Sequence, residues 1–372
     1  MQEEKTKKEE IQESKEEIEK DIVEIQGTIL PQQNYQVSEE EFFSVLRTLA
    51  PGTNFRTALD GALKTGKGAL LVVENENLLP VIDGGFRVNC RFTPQRLIEL
   101  TKMDGAIIVS KDVKRINYAN VLLTPNSKIK TNETGTRHKA AERTAKQIGT
   151  LVVAISERKN EITLFYKNLR YHLKNTDELL RKANEHIQLI EKQRELFDKH
   201  VHLLTQSELR NYESINHAVP VVQKGRLIQK IAEDIRRYIV ELGNEGTLLK
   251  TRMKEITAGV EKETNLVIRD YTKLDTSKSR VLLDSLTYDE ILDAENILNT
   301  LAYEKPIQAN PIKGWRILSK TSLSEQEVSQ VIKQFGSLGR AIHSSPKNYV
   351  EVLGEEKAPL FKEAIDKIKF GN

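Results

Sequence analysis

The spacing of apolar residues changes near residue 175, and this change limits the folds open to the chain more than any other feature. Before it, short apolar runs alternate with amphipathic segments. After it, such runs stop, and apolar residues recur every three or four positions as far as Leu301. Buried strands and amphipathic helices are the usual sources of these two patterns. Because 372 residues are also too many for one ordinary core, the sequence predicts a multidomain protein, α/β first and all-α afterwards.

The first globular region, residues 38–174, has the pattern of an α/β domain. Ser38 and Glu41 have the spacing of a helix capping box, and Pro94 opens another helix that continues through Leu100. Short apolar runs that alternate with helices are typical of a mixed sheet covered on both faces. The predicted strands are residues 68–73, 107–109, 120–123, 151–155 and 162–166.

Residues 175–305 indicate a spine of long antiparallel helices. Ala183 and Ile187 belong to a three-four repeat, and a similar repeat follows a predicted break near Pro220. Prolines and a glycine then mark a boundary, so we expect a separate last domain over residues 306–372.

The last domain has small helices joined by tight glycine turns, the pattern of helix-hairpin-helix modules. In such modules, hairpin amides and nearby lysines hold a DNA phosphate without reading the bases. Residues 306–372 contain ten Lys and Arg against seven Asp and Glu, which fits DNA binding but fits a small protein-binding bundle equally well. The candidate DNA-binding residues are Lys333, Gly336, Gly354 and Lys357.

The composition of the chain predicts its cellular location. Residues 1–37 form an N-terminal extension, most of it Glu, Lys and Gln, which predicts a solvated tail. No apolar run approaches the length of a membrane span. The single cysteine, Cys90, excludes an intramolecular disulfide framework. We therefore expect a cytoplasmic protein with no membrane partner.

Chemistry-bearing residues cluster just after Gly135, where a helical pattern begins. Thr136, Arg137, His138 and Lys139 combine a hydroxyl, an imidazole and two fixed cations. The first-turn amides of a helix lack partners and its dipole is positive there, so this cluster suits a polyanion. The alternative is an ordinary solvated helix start with scattered charge.

A second candidate, Asp104-Gly105-Ala106, stands directly before a predicted strand. The two small residues leave space for a ligand against the backbone, and the carboxylate is an oxygen ligand suited to Mg²⁺ or Mn²⁺. As structure alone, Asp-Gly is a turn. Combined with the Thr136 cluster it forms a complementary set, one metal ligand and several phosphate donors, to which Ser156 at a strand end adds a hydroxyl.

Residues 61–68 nearly spell a Walker A loop, but the match fails. Glycine follows Lys67 where the loop needs a metal-binding hydroxyl, and the segment lies after a helix and before a strand, in the reverse order. Its glycines instead predict a tight helix-to-strand turn.

Asp104-Gly105-Ala106 and Arg137-His138-Lys139 together resemble the two signatures of the diadenylate cyclases, Asp-Gly-Ala and Arg-His-Arg. The order of cyclase domain, helical spine and helix-hairpin-helix domain is similar to members of this family as well. The resemblance implies that two facing cyclase domains condense two ATP into cyclic di-AMP and release two pyrophosphates. It also implies octamers whose cyclase activity is lowered by branched DNA.

The resemblance assigns roles by position. Asp104 would hold Mg²⁺ or Mn²⁺ and help to activate the ribose 3′-hydroxyl, beside the space left by Gly105 and Ala106. The remaining ATP-binding assignments are Thr136, Arg137, His138 and Ser156 for the phosphates, Leu123 for the adenine, and Lys139 and Arg158 in second rank.

Two departures from the family pattern leave alternatives open. Lys139 stands where the second signature has arginine, which keeps the charge but loses the planar fork. A DNA-junction-binding scaffold with an impaired cyclase domain is therefore one alternative. Val352-Leu353-Gly354 stands where a hairpin usually has two glycines around an apolar residue, so a last domain that contacts proteins is the other.

Overall fold

The structure, a computed structural model, describes residues 37–210, 215–303 and 311–370. Contacts divide the chain into two compact units, Met1–Lys174 and Asn175–Asn372, so the division falls where the apolar pattern changes. Nearly all of the predicted extension, residues 1–37, lies outside the described residues, and so does the boundary at residue 306. The limits of the extension and of the last domain therefore stay predictions.

The first unit is built on one mixed sheet of eight strands in the order β2-β5-β4-β1-β6-β7-β8, with β3 also paired to β5. β1 and β4 are parallel, whereas every other pair is antiparallel. The strands are β1 Ala69–Val73, β2 Ile82–Asp83, β3 Phe86–Arg91, β4 Ala106–Val109, β5 Arg115–Leu123, β6 Leu151–Ser156, β7 Glu161–Tyr166 and β8 Leu169–Leu173.

Helices cover both faces of this sheet, as the sequence predicts. The helices are α1 Glu39–Thr48, α2 Asn54–Lys64, α3 Pro94–Leu100 and α4 Thr136–Ile148. Along β1, Leu71 belongs to the core beneath α1 to α3, and Leu70 and Val72 belong to the core beneath α4. Side chains of a strand alternate between faces, so burial on both sides explains the continuous apolar runs.

Three strands are absent from the sequence prediction, and the first of them, β2, has only two residues. The predicted turn at residues 83–86 leads directly into β3, and β8 returns antiparallel to β7 after a two-residue turn, with Tyr166 opposite Leu169. β3 and β8 lie at the sheet's periphery and alternate between partly buried and exposed residues. They lack the continuous apolar run by which a central strand is recognised.

All regular secondary structure in the described residues of the second unit is helical. Its two longest helices, α5 and α6, pack against each other as predicted for a spine. The helices are α5 Thr176–Leu209, α6 Ile215–Leu242, α7 Thr247–Thr257, α8 Val260–Tyr271, α9 Thr276–Ser285, α10 Tyr288–Leu292, α11 Ala294–Thr300, α12 Trp315–Leu318, α13 Glu325–Phe335, α14 Leu338–His343, α15 Pro346–Leu353 and α16 Lys357–Phe370.

The predicted break near Pro220 is wrong. Pro220 lies inside α6, five residues after its first residue, Ile215. A proline at this position removes one backbone hydrogen bond of the helix, and the packing of α6 against α5 maintains the helix in spite of that loss. Within the described ranges, no helix combines the length and the apolar content that crossing a membrane requires.

Candidate functional site

The register of the strands brings Asp104 and Ser156 to the same edge of the sheet, where β1 and β4 begin and β6 ends. Leu70 of β1 is opposite Ala106 on one side and Ala154 on the other. Asp104 precedes Ala106 by two residues and Ser156 follows Ala154 by two, so both lie at the level of the residue before β1, Gly68. Since neighbouring strands are about 4.8 Å apart, the backbones at Asp104 and Ser156 are about 10 Å apart.

Helix α4 begins at this edge with Gly135 as its N-cap, and no side chain caps its first-turn amides. The residue after its first position, Arg137, lies over Gly68: a Cβ added to Gly68 would be 2.1 Å from Arg137 Nη1. Gly68 is buried, so its missing side chain provides the space for the guanidinium. The sequence predicts a turn here, and Gly66 does adopt a left-handed φ of +69°.

A cavity of about 470 Å³ opens between the start of α4 and strands β6 to β8. Thr136, Arg137, His138, Ser156 and Arg158, all predicted ATP-binding residues, line it. The lining contains four fixed cations and three carboxylates, if the histidines are counted as neutral. The cations are Arg137, Arg158, Lys159 and Arg170, and the carboxylates are Glu133, Glu157 and Glu161.

The other predicted site residues lie outside this lining. Asp104 and Gly105 are exposed at the sheet edge, and Ala106 and Leu123 are buried in strands β4 and β5. Gly105 has a φ of +85°, and a Cβ there would meet the backbone of the neighbouring strand at 2.8–3.0 Å, so glycine is required. Lys139 is partly buried one turn into α4.

His138 is half-buried, and its ring packs edge-on against Phe165 with the ring centroids 6.3 Å apart. Burial lowers the pKa of His138, and Arg137 also lowers it, although Glu133 opposes this shift. The imidazole is therefore mostly neutral at neutral pH. A neutral imidazole beside fixed cations can gain a proton when a polyanion arrives.

Three further groups in the cavity were missed by the sequence prediction. Arg170 Nε lies 2.5 Å from Glu133 Oε1, and His172 Nδ1 lies 2.9 Å from Thr163 Oγ1. Lys159, in the turn between β6 and β7, is the third. The signal that could have found two of them is the alternation in Leu169-Arg170-Tyr171-His172-Leu173, which places Arg170 and His172 on one face of β8.

The donor set suits a shared metal site rather than a closed one. Among the described residues, no three His, Cys, Asp or Glu side chains converge as a metal cage. Mg²⁺ commonly binds one or two protein carboxylates together with substrate phosphates. Asp104 at the same edge as the cation-lined cavity fits that arrangement.

In the second unit, the residues predicted to bind DNA lie at helix ends. Lys333 is exposed near the end of α13, which Gly336 terminates with a left-handed φ of +74°. Gly354, with a φ of +81°, terminates α15. Lys357 forms an ion pair with Glu327, which neutralises part of the positive charge of Lys357.

Comparison with known proteins agrees with both units. Residues 56–169 match the nucleotide-binding domain of the DisA bacterial checkpoint controller, and residues 173–310 match its linker region. The chain is 39% identical to the DNA integrity scanning protein DisA of Symbiobacterium thermophilum, over 88% of this chain and 96% of that protein. It is 37% identical to the DisA of Bacillus subtilis, over 89% and 95% respectively. The chain therefore belongs to the DisA family of diadenylate cyclases.

Proposed function

We propose that this chain condenses two ATP into cyclic di-AMP and two pyrophosphates, with one ATP on each of two facing cyclase domains. The observation that carries the proposal is the cavity at the start of α4, which gathers Thr136, Arg137, His138 and Ser156. Asp104 lies at the same edge of the sheet. The volume of the cavity, about 470 Å³, is within the range of small-molecule sites.

In the proposed reaction, each ribose 3′-oxygen attacks the α-phosphorus of the facing ATP. The 3′-hydroxyl loses its proton, and the pyrophosphate leaves with the electron pair of the broken bond. Asp104 helps to take up the proton, and Thr136, Arg137, His138 and Ser156 hold the β- and γ-phosphates. Catalysis by such a set rests on positioning and charge neutralisation, without a protein nucleophile.

Asp104 would hold Mg²⁺ or Mn²⁺ together with phosphate oxygens of the substrate. The bound ion would neutralise charge on those phosphates. Leu123, Lys139 and Arg158 keep the supporting roles that the resemblance implies: Leu123 beside the adenine, and Lys139 and Arg158 as secondary ATP-binding candidates. A requirement for two facing domains also supports an oligomer, which we propose to be an octamer in the cytoplasm.

Incubation with ATP and Mn²⁺, followed by chromatography of the products, tests the proposal. We expect cyclic di-AMP from the unchanged protein and a loss of about 100-fold or more for Asp104→Asn. Asp112→Asn is a matched control, because Asp112 is an exposed carboxylate in the turn at the other end of β4. No product from the unchanged protein would overturn the proposal, and equal output from Asp104→Asn would overturn the role of Asp104.

The effect of Lys139 on turnover distinguishes the proposed cyclase from the rival scaffold function. Its side chain does not line the cavity, which supports an active cyclase despite the missing arginine. We expect Lys139→Arg to change turnover by less than about threefold, because the substitution keeps the charge. A gain of about 100-fold in Lys139→Arg, from a nearly inactive unchanged protein, would favour the scaffold.

We further propose that the C-terminal helices bind branched DNA and that this binding inhibits the cyclase. Lys333 and the glycine turns support a phosphate contact, but the buried Arg316 is not available to DNA. Gel shifts with a four-way junction and a linear duplex, at stated salt, test the binding. We expect Lys333→Gln to weaken junction binding and inhibition severalfold, in contrast to the exposed control Lys278→Gln in α9. Equal effects would remove Lys333 from the DNA contact.

A further inference from the structure

The lining of the cavity contains a charged pair with no assigned role, Glu133 and Arg170. Arg170 stands on β8, and Glu133 lies in the segment before α4. Only 12% of the Glu133 side chain is exposed, whereas 46% of the Arg170 side chain is exposed. The carboxylate is thus largely enclosed, and the guanidinium it holds is open to the cavity.

The pair uses only one edge of the guanidinium. Glu133 Oε1 lies 2.5 Å from Arg170 Nε as an ion pair that lacks hydrogen-bond geometry, and no bond in the described part of the chain occupies Nη1 or Nη2. An arginine held at Nε still has four N–H donors on its terminal nitrogens. These donors suit phosphate oxygens, which guanidinium groups commonly bind in a bidentate manner.

A purely structural ion pair does not explain this placement well. Partly exposed ion pairs contribute little to stability. A carboxylate in the wall of an anion-binding cavity also repels the ligand, unless it fixes a cation that binds the ligand. Glu133 meets that condition, because the group it fixes lines the same cavity as Arg137 and His138.

We infer that Arg170 binds the terminal phosphates of the nucleoside triphosphate, and that Glu133 is its positioning residue. This inference rests on the proposed function. Arg137, at the helix start, and Arg170, on β8, would hold the phosphates from two walls of the cavity. As the bond between the α-phosphorus and the bridging oxygen breaks, its electron pair remains on the departing pyrophosphate, and Arg170 neutralises part of that charge.

Calorimetry with the full chain and two non-cyclising ligands tests the inference. The ligands are 3′-deoxy-ATP and 3′-deoxy-AMP, which lack the attacking hydroxyl and differ only in the β- and γ-phosphates. We expect Arg170→Gln to weaken 3′-deoxy-ATP binding about 10- to 100-fold and to change 3′-deoxy-AMP binding by less than about twofold.

Two further variants separate positioning from charge. Glu133→Gln should weaken 3′-deoxy-ATP binding by a few fold only, because Arg170 stays present but loses its anchor. Arg170→Lys should lie between the unchanged protein and Arg170→Gln, since it keeps the charge without the fork. Arg91→Gln is the control: Arg91 is exposed on β3, and its partner in the sheet, Arg115, begins β5 at the edge away from Asp104.

Binding and turnover together separate failure of this inference from failure of the proposed function. Equal losses for both ligands, or no loss, in Arg170→Gln would overturn the inference even if cyclic di-AMP is formed. A selective loss for 3′-deoxy-ATP in a protein that forms no cyclic di-AMP would overturn the cyclase alone. If the unchanged protein bound neither ligand, both would be wrong. With ATP as substrate, Arg170→Gln should raise KM and also lower kcat, which a wall residue without phosphate contact would not do.

Discussion

Arg137 and Arg316 have the same side chain but lie in opposite environments. Arg137 lies at an edge of the sheet, over a glycine, in a cavity where cations outnumber carboxylates. Arg316 is completely buried in the helical unit, and protein groups satisfy its guanidinium. The first arrangement leaves charge available for a ligand. The second uses all of its charge internally.

The contacts of Arg316 tie α12 to α5 and α8. Its guanidinium forms an ion pair with Glu208, contacts Glu263 Oε1 at 2.8 Å and donates to Thr205 Oγ1 at 3.0 Å. Asp270 meanwhile accepts the backbone N–H groups at the start of α12, at 2.7–2.9 Å. The residues just beyond the predicted boundary at residue 306 are therefore anchored in the spine by buried charges.

The accessible charge of Arg137 is available to a ligand, whereas the buried charge of Arg316 holds the fold. A buried ion pair is costly to form, and removal of one partner leaves the other buried without compensation. A partly exposed cation in an open cavity carries no such penalty, so its loss affects binding more than stability.

Glu208→Ala should destabilise the helical unit by about 3–5 kcal/mol, because Arg316 would stay buried without its main partner. Urea unfolding followed by circular dichroism measures the change. Glu191→Ala is the control, since its ion pair with Arg252 is partly exposed and should contribute about 0–1 kcal/mol. The double change Glu208→Leu with Arg316→Met should cost less than Glu208→Ala. A double variant less stable than the single variant would contradict the ion-pair explanation.

Gly68→Ala should weaken 3′-deoxy-ATP binding about 10- to 100-fold, because the new methyl group displaces the Arg137 guanidinium. The guanidinium is the far end of a flexible side chain and can move, but the backbone oxygen of Ile155 would lie 3.2 Å from the new Cβ and must also shift slightly. We therefore expect a small loss of stability, about 1 kcal/mol. Gly135→Ala is a steric control: its Cβ would be 3.8 Å from the nearest atom, His138 Nδ1. Equal binding by Gly68→Ala and the unchanged protein would show that Arg137 does not contact the phosphates.

The sequence alone predicts the main secondary structure but not the long-range contacts of the site. The strand at β1 and the helix at α5 follow from apolar runs and three-four repeats, which report burial directly. Gly68 could be interpreted only as a turn glycine, because the side chain that requires it, Arg137, is distant in sequence. Glu208 and Arg316 are 108 positions apart, so no local pattern connects them. Arg170 was missed because the predicted strands were those with an apolar run, whereas β8 alternates polar and apolar residues.

The smallest expected effect concerns the protonation of His138. Burial lowers the pKa of the free imidazole below its usual value of 6.5, so it is mostly neutral at neutral pH. Bound phosphates favour the imidazolium and raise that pKa, so binding takes up a proton and becomes stronger as the pH falls. Between about pH 8 and about pH 6, the affinity for 3′-deoxy-ATP should rise two- to fivefold relative to His138→Gln. Titration of the ligand's own phosphate affects both proteins equally, so parallel pH profiles for the two would place His138 outside the phosphate contact.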